Sequence, residues 1–238
     1  MPGTPQHQPP PSSSPPSSPS SSYAPTGRTV PTRSAHRAAY DRESVHAILD
    51  AGCVCHLGFV RDGAPVVLPT LYSRVGERLY VHGSTGSRPL RAARDDDAGL
   101  PVCLTVTHVD GLVLARSAFH HSVNYRSVVV HGRAHDVTDP EEKRRALDSL
   151  VEQAVPGRAA DCRPADKKEL AATALVRLDL REVSAKVRTG GANDEPEDLA
   201  LPHWAGVLPL RTGYDTPLPD PGLAPGTALP AYLAALGS

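Results

Sequence analysis

The chain has 238 residues, with 25 Lys and Arg against 26 Asp and Glu and a formal net charge of -1, so no overall basic field points to nucleic acid or to an anionic membrane surface. A mean hydropathy of -0.29, with no apolar run long enough to cross a bilayer, predicts a soluble chain. The N-terminus lacks a charged-then-apolar signal pattern, which predicts a cytoplasmic location.

Residues 1–34, opening "MPGTPQHQPPPSSSPPSSPSSSYAPTG", are Pro and Ser with almost no apolar content. Such a segment buries too little surface to offset its conformational entropy and reads as a disordered leader. Asp41 then caps a short helix whose Val45, Ile48 and Leu49 share one face, with Gly52 as its stop. "CVCHLGFVRDGAPVVLPTLY" reads as two strands around a turn at Asp62–Gly63. A second turn near Gly76 leads to "RLYVHG", where Leu79 and Val81 point one way and Tyr80 and His82 the other.

"PVCLTVTHVDGLVLARSA" repeats the scheme, with Asp110–Gly111 read as the turn between two strands, and "NYRSVVVHGRAHDV" is a long strand. Asp139, Pro140 and Glu142 open a helix with Leu147, Leu150 and Val151 on one side. "TALVRLDLREVSAKVRTG" reads as a last strand, and residues 212–238 form a Pro-rich C-terminal arm that lies over the domain or hangs loose. Short antiparallel strands joined by hairpins, with helices at the margins, imply a mainly β fold. A two-sheet sandwich has the same signature, but the placing of the helices favours a barrel. Cys53, Cys55, Cys103 and Cys162 are scattered without a CxxC pair and read as buried free thiols rather than as metal ligands.

One stretch asks for a ligand. In "LYVHGSTGSRPLRAA" a strand ends in His82 and Gly83, and Ser84, Thr85, Ser87 and Arg88 offer three hydroxyls and a guanidinium at the mouth of a helix beginning near Pro89. Helix N–H groups, hydroxyls and a bidentate arginine suit a phosphate. Ser, Thr and Gly are equally the ordinary residues of a strand-to-helix connection.

That stretch resembles the phosphate-holding turn of the FMN-binding split barrels related to pyridoxamine 5'-phosphate oxidase, where an "xTNxxSRKxxQ"-like turn follows a strand and precedes a helix. Ser87 and Arg88 match, while Pro89 stands where the oxidases carry lysine. "PVVLPTLY", "YRSVVVHGRA", "SAKVRTG" and "LPHWAGVLPL" are similar to further segments in the same order, the last two to a branch that includes the nitroimidazole-resistance (Nim) proteins. The resemblance implies a six-stranded antiparallel split β-barrel over residues 35–211 that binds FMN at the interface of a homodimer and acts as an oxidoreductase on a small organic substrate, in the manner of a nitroreductase.

It further implies that Leu68, Pro69 and Thr70 line the ring and ribityl edge. His82, Gly83, Ser84, Ser87 and Arg88 go to the phosphate and its approach, and Ser127 makes a contact from a second strand. Lys186 and Arg188 would place positive charge near the ring's pyrimidine end. His82 matches a histidine in the active site of Nim proteins and serves as acid, base or substrate contact, or merely hydrogen-bonds the turn. Trp204 covers the cofactor or plugs the barrel's end.

His120 and His121 are candidate ligands for haem, since some split-barrel relatives bind it. The alternatives carried forward are therefore a split barrel using the deazaflavin F420 or haem, and a non-catalytic flavin-binding dimer. The C-terminal "RLH"-type segment of the true oxidase has no counterpart in "LPLRTGYDTPLPDPG".

Overall fold

The computed structural model describes residues 20–87, Leu90, Ala93 and residues 98–237. Its strands are β1 (Ala38–Ala39), β2 (Val54–Arg61), β3 (Ala64–Val75), β4 (Arg78–Ser84), β5 (Leu100–Leu114), β6 (Ser122–Asp136), β7 (Thr173–Asp179), β8 (Glu182–Arg188) and β9 (Gly206–Pro209). Helices α1 (Arg42–Asp50), α2 (Pro140–Ala154), α3 (Lys167–Ala172) and α4 (Ala231–Ala234) lie at the margins.

All strand pairings are antiparallel, and β2 to β7 close into a ring of six in the order β5–β2–β3–β4–β7–β6. Closure covers most of the edges an open sheet would present, the first part of β3 being an exception. The ring is split where β6 changes partner: Tyr125 to His131 pair with β8, and Ala134 to Asp136 with β7. The two-residue β1 and the short β9 extend β8 and β5. This is the expected six-stranded split barrel.

Its interior is filled by Tyr72, Leu79, Leu104, Val106, Val128, Val130 and Val183, each at most 1% exposed. Burial of each such aliphatic side chain stabilises the fold by roughly 1.5–3 kcal/mol. The Asp62–Gly63 turn has φ of 50° and 76° at its two residues, the left-handed pair that a tight hairpin needs. Asp41 caps α1 by accepting from the Ser44 N–H at 2.7 Å, and Asp139 caps α2 by accepting from Glu142 N–H at 2.6 Å.

Helix α2 packs Ala146 and Leu150 on Tyr80 and Leu175 outside the barrel. Val151, read onto the same apolar side, is 39% exposed because the docked stripe is narrower than the apolar run. Gln153 ties α2 to the barrel. It donates to the carbonyls of Leu49 and Gly52 at 3.0 and 2.6 Å and accepts from Arg74 N–H at 2.8 Å.

Several sequence readings change. Asp110–Gly111 is not a turn: β5 runs through it with a bulge between Val109 and Gly111. Asp110 accepts both guanidinium nitrogens of Arg126 and its carbonyl accepts Leu210 N–H, so β6 and β9 hold the strand extended. The last strand is two, β7 and β8, joined through Leu180–Arg181, a turn that has neither Gly nor Pro to mark it. Of the four cysteines only Cys55 is buried, with its thiol pushed up to about 12 by burial, while Cys162 is exposed.

The leader reading covered residues 1–34; residues 1–19 lie outside the described residues. From Ser20 onward the segment packs on the barrel. Tyr23 is 5% exposed, its ring lies under the Arg42 guanidinium, and its hydroxyl meets His46 Nε2 at 3.0 Å and Glu77 Oε2 at 2.9 Å. Arg28 and Thr26 bond Glu182 of β8. The C-terminal arm lies across the end of α2: Tyr214 donates to Ala154 O, and Tyr232 bonds Arg158 and Asp161. Among the described residues no helix is long and apolar enough to cross a membrane.

Candidate functional site

Strand β3 pairs with β2 from Ala64 to Leu71 and with β4 from Tyr72 to Val75. Among the described residues, the other backbone edge from Ala64 to Leu71 has no strand beside it. Next to that edge, β4 ends in His82–Gly83–Ser84, and the two form a cleft of about 230 Å³. Leu68, Pro69 and Thr70 of β3, His82, Gly83 and Ser84 of β4, and Ser87 of the following turn all line it. These seven residues, which the resemblance assigns to one site, share one cleft. Leu57, Val81 and Leu90 complete the walls. They were missed because buried apolar residues carry no signal that separates a ligand wall from core.

Local structure explains the shape. A Cβ on Gly83 would lie 2.7 Å from Leu90 Cδ1, so glycine lets the helical Leu90 settle against the end of β4. In the turn, Ser87 N–H donates to Ser84 O at 2.8 Å, Gly86 N–H to Ser84 Oγ at 3.2 Å, and Thr85 N–H to Ala172 O at 3.2 Å. Those three backbone donors are committed to the fold, so the hydroxyls of Ser84, Thr85 and Ser87 are what the described part of the turn has for an anion. Arg88 and Pro89 lie outside the described residues.

His82 is half-buried, and its Nδ1 is fully buried without a hydrogen-bond partner. A buried imidazole nitrogen left unpaired costs about 1–3 kcal/mol, so the wall of the cleft carries an unsatisfied polar atom. The volume is below the roughly 300–1,000 Å³ of ordinary small-molecule sites. The other face of the β2–β3 ladder is apolar and exposed: Val54 and Val60 of β2 and Val67 and Leu71 of β3 are 51%, 65%, 62% and 39% exposed.

The other expected site residues lie elsewhere in the protomer. Ser127 and Lys186 are register partners on β6 and β8, with Ser127 Oγ donating to Lys186 O at 3.3 Å and Lys186 Nζ to Arg33 O at 3.3 Å. Arg188 is 9% exposed and held by Asn124 Oδ1 and by Gly191 O at 3.2 Å. It lines a second cleft that shares no residue with the first. Trp204 is 69% exposed beside Gly206 at the start of β9, so it does not plug the barrel.

His120 and His121 are not on a strand but close a 3₁₀ turn, Ala118–His120, in the loop between β5 and β6. His121 Nδ1 is 3.0 Å from Ser117 O. A carbonyl only accepts, so Nδ1 carries the proton and Nε2 the lone pair, the arrangement of a metal-ligating histidine. Among the described residues no group of three or more His, Cys, Asp or Glu is placed to hold a metal ion by itself.

A family model described as pyridoxamine 5'-phosphate oxidase matches residues 41–187. The flavocytochrome Anf3 from Azotobacter vinelandii is 41% identical, with a TM-score of 0.82 over 90% of this chain and 98% of that one. An FAD and heme binding protein from Mycobacterium smegmatis is 40% identical, with a TM-score of 0.79 over 84% of this chain and 97% of that one. A proposed 5-nitroimidazole antibiotic resistance protein from Bacteroides thetaiotaomicron shares the fold at 20% identity, with a TM-score of 0.51 over 63% of this chain and 86% of that one. Among curated proteins, none matches the chain.

Proposed function

Since the chain belongs to the pyridoxamine 5'-phosphate oxidase family, we propose that it is a flavin-binding redox protein that also carries a haem and works as a homodimer. The observation that carries the flavin is the cleft between the unaccompanied edge of β3 and the end of β4, with His82 in its wall and the buried Nδ1 of that ring unpaired. When bound there, a flavin supplies hydride or electron-pair transfer. The chain's own residues do the rest. Leu57, Leu68 and Leu90 give an apolar wall for a planar ring, and Pro69 and Thr70 present the strand edge. Ser84, Ser87 and Arg88 hold a phosphate, and His82 holds or moves a proton at Nδ1.

The flavin was read as FMN from the turn; the Mycobacterium relative is described as binding FAD. Both share the ring and the first phosphate, so the same cleft serves either. The small volume and the exposed apolar face of the β2–β3 ladder support a second copy as the missing wall. In that assembly Ser127 and Lys186 face the neighbouring subunit's site.

Haem is supported by the likeness to a flavocytochrome and to a haem-binding protein at 41% and 40% identity. It is also supported by His121, whose Nε2 is free to bind iron while Ser117 O fixes the tautomer. The electron path would then join the two groups, with a small molecule as donor or acceptor.

An absorbance spectrum of the freshly purified protein tests the reading: flavin bands with a Soret band are expected, and chromatography of the extracted flavin names it. Flavin without haem leaves a simple flavoprotein, and His121→Ala with an intact Soret band removes that ligand. A protein that takes up neither group after reconstitution overturns the proposal, and one that takes F420 in their place returns the deazaflavin alternative.

A further inference from the structure

The second cleft encloses about 530 Å³ and is lined by His36, Arg37, Val187, Arg188, Thr189 and Asn193. No carboxylate is among the lining residues. Among the described residues, neither Arg37 nor Arg188 makes an ion pair, although most other arginines of the barrel and α2 do. In a chain of net charge -1, this is a local excess of positive charge rather than a general one. Arg188 is 9% exposed, and its two bonds, to the side-chain oxygen of Asn124 and the carbonyl of Gly191, orient the guanidinium without neutralising it. Burying an unneutralised charge is costly, and an anion in the cleft removes that cost.

The cleft belongs to the same end of the barrel as His121. Asn124, which holds Arg188, also donates to Gly190 O at 3.0 Å and follows His121 by three residues. Asp194, next to Asn193, accepts from both the backbone and the guanidinium of Arg116 at 2.8 Å. His120 Nε2 lies 3.6 Å from Glu195 Oε1. The loop 115–121 is thus stitched to the loop 190–195 that walls the cleft. Asp194 is taken up by Arg116, and its side chain is 2% exposed, so it does not compete for Arg37 or Arg188. At this junction two more polar atoms, Arg116 Nε and Ser117 Oγ, are buried without a partner. Phe119 and Trp204, 89% and 69% exposed, offer flat apolar faces on the segments that flank it.

We propose that this cleft receives the two propionate carboxylates of the haem, with Arg37 and Arg188 as their charge partners and Thr189 and Asn193 as further donors. Two guanidiniums suit two carboxylates, since each can form paired, charge-assisted hydrogen bonds. One apolar lining residue, Val187, is too little for the porphyrin face, which instead lies toward Phe119 and His121. The inference rests on the haem reading above and adds to it the site and charge of the anchoring end.

The test is a Soret titration of the full-length chain with ferric haem and with its dimethyl ester, which keeps the ring and iron but lacks the two charges. The wild type is expected to bind haem at least about tenfold more tightly than the ester. Arg37→Gln is expected to lose that preference while keeping wild-type affinity for the ester, its flavin content and its melting temperature. Arg37 is half-buried and unpaired, so this variant should fold. Equal affinity for haem and ester in the wild type, or an Arg37→Gln variant that retains the preference, overturns the assignment. A wild type that binds neither compound overturns the haem reading itself. Saturable binding of inorganic phosphate at Arg37 that leaves haem affinity unchanged also overturns it, in favour of a nucleotide site.

Discussion

The cleft beside β4 has apolar walls from Leu57, Val81 and Leu90 and leaves one imidazole nitrogen without a partner. The cleft beside β8 has one apolar wall and gives its buried guanidinium two neutral partners. The first is formed by the barrel wall itself, from strand ends where side chains are fixed by ladder pairing. The second is formed by the end of β8, at Val187 and Arg188, together with the segments at His36–Arg37 and Thr189–Asn193. A flat, largely apolar ring needs a rigid wall, whereas carboxylates need preorganised donors, so the two clefts suit the different ligands proposed for them.

The contrast can be broken most forcefully at Leu90. Leu90→Ala removes a side chain that is 5% exposed and is expected to lower stability by about 2–4 kcal/mol, read as a shift in the denaturation midpoint. In the folded variant flavin binding should weaken, while the haem-over-ester preference stays. Equal loss of both would show that the clefts are not separable.

Next comes Arg88→Ala, which is expected to weaken flavin binding by about 1.5–3 kcal/mol through loss of a charge-assisted phosphate contact. Fluorescence titration measures it, and unchanged affinity in a folded variant removes Arg88 from the site. His82→Ala should reduce the rate of flavin reduction or turnover more than flavin affinity. An unaffected rate assigns the histidine to shaping the turn alone.

The smallest effect is one of pH, and it contrasts both clefts with the arm around Tyr23. Burial, assisted by the Arg74 charge, holds the His46 imidazole below its usual value of 6.5. Burial raises the Glu77 carboxyl, but hydrogen bonds from Arg42 and Tyr23 outweigh it and hold the group below its usual 4.5. Both groups bind protons less readily folded than unfolded. Their stabilisation is therefore complete above the unfolded values and is lost as pH falls, first below about 6.5 and then below about 4.5. Limited proteolysis near Arg28 should accelerate as pH is lowered through those ranges, and a flat profile would show that the arm is held by other contacts.

Much of the barrel was legible because its signals are local. Asp62–Gly63 lies between two apolar runs and forms the tight turn its residues favour, and Asp41 and Asp139 cap the helices they precede. Asp110–Gly111 has the same two residue types but a different outcome, since Arg126 and β9 hold that stretch extended from outside. The β7–β8 turn at Leu180–Arg181 was invisible for the converse reason: it holds no Gly, Pro, Asn or Asp pair, and only the adjacent polar Arg181 and Glu182 break the alternation there. Seven residues that line the cleft beside β4 fall in two short runs, Leu68–Thr70 on β3 and His82–Ser87 at the end of β4, so segment-level resemblance could group them. The cleft at Arg37 was not, because its walls come from positions about 150 apart in the chain, and only the pairing of β1 with β8 brings them together.

That pairing also dictates the order of events during synthesis. Ala38 and Ala39 lie beside Lys186 and Ala185, so the first strand to leave the ribosome waits for one of the last. Until β7 emerges, the stretch of β4 it covers stays open, and so does the end of β6. A nascent chain in this interval presents unsatisfied ladder groups to its surroundings. Stalling or truncation after α2 should therefore yield aggregation-prone fragments rather than a smaller stable domain.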